Sequence, residues 1–136
     1  MEAWNSLVSH VTARFPYANR EGSNALRFVV VLAGTHRVGV RLRCLPAYDT
    51  HAIVMTAELG THDAIDAYAG LVTNLQLVTG ALACDGHVLV LRVLVADAKS
   101  FDAQLELFAR EAATIKRTLT RPRVTHTALA MAHYAD

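Results

Sequence analysis

The side chains that could do chemistry are spread along the chain rather than gathered into a motif. There are seven histidines and two cysteines in 136 residues. No histidine pair has the helical ligand spacing of a zinc site, and neither CxxC nor HExxH occurs. His36, His51, His62 and His87 fall at turns or strand ends, where solvated polar residues belong. Cys44 and Cys84 lie in apolar strand-like stretches and read as buried, reduced thiols of a cytoplasmic protein. Cys84 and His87 flank Asp85-Gly86 and should oppose one another across a hairpin. A nucleophilic thiol would also need a depressed pKa and an acyl-stabilising group, and no motif supplies one. The carboxylates Asp63/Asp66 and Glu106/Glu111 sit near helix ends or on polar faces, not as an acid/base pair in a pocket. No glycine-rich phosphate loop is present. These residues predict no catalytic group, no metal and no cofactor.

The sharpest local pattern is cationic. In "RVGVRLRC" the residues Val38, Val40, Leu42 and Cys44 share one strand face, and Arg37, Gly39, Arg41 and Arg43 share the other. Such a face is either the solvated side of an antiparallel strand or a surface for an acidic protein segment. Nucleic acid is disfavoured: no aromatic residues interleave with the arginines, and the formal net charge is only +1.

The elements that must carry these residues follow from periodicity. Trp4, Leu7, Val8, Val11 and Phe15 mark an amphipathic helix over 2–15, which Pro16 stops. Three strands are expected at 26–32, 37–44 and 52–59, the second ending at Pro46. Thr61 then reads as the N-cap of a helix reaching about residue 78, with Gly80 as terminator. A short strand at 81–84, a type I′ turn at Asp85-Gly86 and a strand at 87–95 make a hairpin. Ser100 caps a last helix over 101–119, whose stripe is Phe101, Leu105, Phe108, Ala112, Ile115 and Leu119. The order predicts an α+β fold: helix, three strands, helix, two strands, helix, with an antiparallel sheet and packed helices. Residues 1–120 form one domain, and 121–136 a tail that could hold a short helix.

Hydrophobic residues make up 53% of the chain and charged residues 18%, against about 45–50% and about 25% in typical domains. The excess predicts apolar surface covered by another molecule. Its focus is "HVLVLRVLV", which is apolar on both faces. One set of its residues should face the helices. The other, Val88, Val90, Arg92 and Leu94, together with Leu71 and Leu75, should meet a second copy of the chain. Arg92 is expected at the rim of that contact or paired with a carboxylate. No basic start precedes an apolar core, and no uncharged run is apolar enough to span a bilayer, so a membrane partner is not expected.

The order of elements resembles the type III secretion chaperone-like fold shared by the YbjN-like superfamily. The residues carrying the resemblance are Asn74 in the middle helix, the Asp85-Gly86 turn, the valine/leucine strand Val88–Val95, and the closing helix begun by Ser100. The resemblance implies a compact homodimeric module that binds a protein segment and turns over no substrate. One departure is charge, since secretion chaperones are typically acidic and this chain is nearly neutral. The expectation is therefore a non-enzymatic, chaperone-like or adaptor homodimer that binds its partner through Arg37, Arg41 and Arg43. Two alternatives stay open: a small-molecule-binding domain or small enzyme with an unrecognised pocket, and a nucleic-acid binder using the arginine face.

Overall fold

The computed structural model describes residues 2–34, 36–61, 77 and 80–119. Among these residues two helices pack on a six-stranded antiparallel sheet, an α+β arrangement. The elements are α1 (Glu2–Arg14), β1 (Asn19–Arg20), β2 (Ala25–Val31), β3 (Arg37–Ala47), β4 (Thr50–Thr61), β5 (Ala81–Asp85), β6 (Val88–Leu94) and α2 (Phe101–Leu119). Strand order across the sheet is β1-β2-β3-β4-β6-β5. The middle helix expected after Thr61, including Leu71, Leu75 and Asn74, and the tail 121–136 lie outside the described residues. Thr61 is the last residue of β4.

Both helices cover the same sheet face. Trp4, Leu7, Val8 and Val11 of α1 and Phe101, Leu105, Phe108, Ala112 and Ile115 of α2 are buried, which is the 3.6-residue period read from the sequence. They meet Leu26, Phe28, Val40, Leu42, Met55 and Leu91 in one core cluster. Burying each such side chain contributes about 1.5–3 kcal/mol, which sets the alternation of β2 and β3 firmly. The indole Nε1 of Trp4 donates to the Ser23 carbonyl at 2.8 Å, fastening α1 to the loop that enters β2.

Several boundaries moved for identifiable reasons. A two-residue strand, Asn19–Arg20, pairs with β2 inside what reads as a polar connection. β3 runs through Pro46 to Ala47 instead of stopping at the proline. The Cys44 amide donates to Asn24 at 2.8 Å, so by the alternation of an antiparallel ladder the nitrogen of Pro46 also points toward β2. β2 has not yet begun there, and no ladder bond is lost. Ile53, Met55, Ala57 and Leu59 of β4 alternate inward, and the pattern reads as weak because the apolar Val54 lies on the outer face; a bulge breaks the register only between Glu58 and Gly60. In the β5–β6 hairpin Asp85 pairs with Val88, leaving Gly86 and His87 as the turn. Only Gly86 has positive φ, 64°. One left-handed residue at the first central position fits a type II′ turn, not the type I′ turn expected at Asp85-Gly86, which needs two. Ser100 stands at the start of α2, but its hydroxyl turns back to the Asp97 carbonyl at 3.4 Å. The entry to α2 is held by Gln104, whose Nε2 donates to Leu94 O at 2.8 Å while its Oε1 accepts from Ala96 N at 3.2 Å.

Candidate functional site

The face of the sheet opposite the two helices collects five of the chain's eleven arginines. The register sets Arg27, Arg41, Thr56, Arg92 and Ala81 in one row across five strands. A neighbouring row holds Ala25, Arg43, Val54 and Leu94, and Arg37 lies beside Val31. Neighbouring strands are about 4.8 Å apart, so the row from Arg27 to Arg92 spans roughly 14 Å. Arg37, Arg41 and Arg43 therefore share a face, as alternation predicts. Arg27 and Arg92 join them only through strand pairing. Arg27 was legible as an outward residue of "LRFVVVL", but nothing in the sequence put it beside Arg41.

The charge on this face is unbalanced. Glu58 and Asp85 share it by register, and Glu21 reaches it from the loop before β2. Glu21 Oε1 accepts from Arg27 Nε at 2.8 Å and lies 3.2 Å from Arg41 Nε. The Arg41 contact is close but not aligned as a hydrogen bond, and among the described residues the buried Nε atoms of Arg41 and Arg43 both lack an acceptor. Among the described residues no carboxylate pairs with Arg37, Arg43 or Arg92. A buried donor without an acceptor costs about 1–3 kcal/mol, so this pair of atoms is an unusual feature of the surface.

Aliphatic residues flank the arginines. Val29, Val31 and Leu94 are well exposed, Leu94 at 61%. Val54 and Val90 lie on the same face yet are only 1% and 6% exposed. They fall outside the core cluster. The four described residues of the expected dimer contact, Val88, Val90, Arg92 and Leu94, thus line one side of β6, while Leu89, Leu91 and Val93 turn toward the helices. Arg92 is exposed and opposes Thr56 and Ala81, not a carboxylate. The described residues of the two sets, Arg37, Arg41 and Arg43 with Val88, Val90, Arg92 and Leu94, share one face of the sheet.

The cysteine expectations divide. Cys44 is buried in the core, but Cys84 is exposed because β5 is an edge strand. Cys84 pairs with Leu89, so it does not oppose His87, which sits in the turn. Among the described residues no group of three or more histidine, cysteine, aspartate or glutamate side chains could hold a metal ion, and no helix is long and apolar enough to cross a membrane.

On the helix side, Asp102 at the start of α2 binds α1. Its Oδ1 lies 2.9 Å from His10 Nε2 and accepts from Arg14 Nη1 at 2.7 Å. The hydrogen bond from His10, followed by that from Arg14, holds the carboxyl below the usual aspartate range despite partial burial. No protein-family model, curated protein or solved structure matches the chain.

Proposed function

We propose that the chain is a non-enzymatic protein-binding module of the cytoplasm, chaperone-like or adaptor-like, that works as a homodimer. In this reading the arginine face takes a carboxylate-bearing segment of the partner. The observation that carries it is the gathering of Arg27, Arg37, Arg41, Arg43 and Arg92 on one sheet face against the carboxylates Glu21, Glu58 and Asp85. A carboxylate accepts from accessible guanidinium N–H groups with charge-assisted, bidentate geometry. Protein is favoured over nucleic acid because the flanking residues are aliphatic and, among the described residues, no aromatic ring stands on the face to stack a base. The order of the described elements, a helix, a meander, a hairpin and a closing helix, supports the likeness to secretion-chaperone-like modules.

Charge also constrains the homodimer. Two copies meeting squarely through this face would oppose arginine to arginine, which costs several kcal/mol. A two-fold contact built on Val88 and Leu94, with Arg92 beside them and Val90 already buried within the chain, leaves Arg37, Arg41 and Arg43 to the partner. The test is fluorescence anisotropy with a labelled acidic-aliphatic peptide, set beside light scattering of the free protein. Micromolar binding that is lost in Arg41→Glu/Arg43→Glu supports the reading. Equal binding by that variant, or preference for an RNA oligomer, refutes it. A monomer in solution removes the homodimer alone.

A further inference from the structure

A second site lies on the helix side of the sheet, away from the arginine face. A groove of about 600 Å³ opens where the end of α1, the end of β2 with the turn into β3, and α2 from Leu105 to Arg117 meet. This volume lies within the range of small-molecule sites, roughly 300–1,000 Å³. Its polar lining is Arg14, His36, Glu106, Arg110, Thr114 and Arg117. Three guanidinium groups thus face one carboxylate, in a chain whose formal net charge is only +1. Val30, Leu105 and Ala113 give the groove an apolar wall.

The cations are partly positioned beforehand. Arg14 gives Nη1 to Asp102 and lies 5.2 Å over the Phe15 ring. Arg110 gives Nη2 to Glu106 at 2.7 Å. Each keeps further N–H groups, because guanidinium carries five donors. Arg117 has no carboxylate partner among the described residues. It follows Arg110 by seven residues, two helical turns, which places both on one side of α2 about 10.5 Å apart along its axis.

We propose that this groove binds a small organic anion made of a carboxylate or phosphate head and an aliphatic body. The head lies among Arg14, Arg110 and Arg117, and the body lies against the wall of Val30, Leu105 and Ala113. The shared requirement is a planar or tetrahedral oxyanion that accepts forked guanidinium donors. The site is independent of the protein-binding reading, since none of its charged residues stands on the arginine face.

The experiment is isothermal titration calorimetry on the full chain with hexyl phosphate, hexanoate, inorganic phosphate and hexanol. At least one of the two amphiphilic anions binds, at least tenfold more tightly than inorganic phosphate or hexanol, and the tighter of the two identifies the head. Arg110→Gln and Arg117→Gln each weaken that binding about tenfold or more, Lys99→Gln leaves it unchanged, and raising the salt weakens it in the unmodified protein. Circular dichroism confirms the fold of each variant. The inference is overturned if neither anion binds at millimolar concentration, if hexanol binds as well as the anions, or if Arg117→Gln binds as tightly as the original chain.

Discussion

Replacing Arg43 by methionine separates the stability of the sheet from its use. Arg43 pairs with Val54 across β3 and β4, on the face away from the helices. Val54 is 1% exposed there, and the aliphatic stem of the arginine beside it is part of its cover. The Nε of Arg43 is buried without an acceptor, a defect worth about 1–3 kcal/mol. The remaining guanidinium nitrogens recover part of that through solvent, so a net cost near 1 kcal/mol is expected. Methionine keeps an unbranched stem and removes the donor. Arg43→Met should therefore be as stable as the original chain or about 1 kcal/mol more stable, raising Tm by about 3 °C in a domain of this size. Arg43→Ala also removes the donor but uncovers Val54, and should fall below Arg43→Met by about 1–2 kcal/mol. Urea melts of the three proteins give the values directly. In the same samples, Arg43→Met should bind an acidic peptide several-fold more weakly. A loss of more than 1 kcal/mol in Arg43→Met would refute the reasoning, because it would mean that the guanidinium is satisfied in the free protein.

Other substitutions probe the frame that holds the site. A β-carbon at Gly80 would stand 2.8 Å from the Arg92 carbonyl oxygen and 3.3 Å from a Leu91 methyl, so Gly80→Ala should cost about 1–3 kcal/mol by urea denaturation and displace β6. Tyr48 closes the β3–β4 turn at φ 53° and is fully exposed. Tyr48→Gly should thus stabilise by about 0.5–1 kcal/mol, with Tyr48→Ala near neutral, as scanning calorimetry would show. The Asp102 carboxyl is held below its ordinary value of about 3.9 by His10 and Arg14. Its contribution is present above that value and disappears as pH falls through the lowered one. The contribution is small because the group is half exposed. Asp102→Asn should be less stable than the original chain at pH 7, with the gap closing as pH falls through the lowered carboxyl value, and a gap unchanged across the whole acid titration would contradict the assignment.

Much of the frame was written in local order. The stripes of α1 and α2, the alternation of β3 and the position of the β5–β6 hairpin follow from residue spacing, because burial repeats every 3.6 residues in a helix and every two in a strand. The same spacing put Arg37, Arg41 and Arg43 on one face and split β6 into two sets. Composition carried a further message, an apolar excess with few charges, but not where it lies.

Tertiary structure decided what depends on which strands lie side by side. Sequence alone did not pair Arg27 with Arg41 across β2 and β3, nor Thr56 with Arg92 across β4 and β6. It left the Nε atoms of Arg41 and Arg43 without visible accounting, since burial and acceptors come from neighbours distant in the chain. Cys84 looked like a core residue because its own strand is apolar, yet an edge strand leaves it exposed. Pro46 looked like a terminator because the absence of a partner strand beside its nitrogen is a property of the sheet. The groove formed by Arg14, Arg110 and Arg117 exists only because α1 ends against α2, in a contact that Asp102 fastens. Periodicity reports which face of an element is buried. Only the packed sheet reports what each exposed face stands next to, and it is that adjacency which turns scattered arginines into sites.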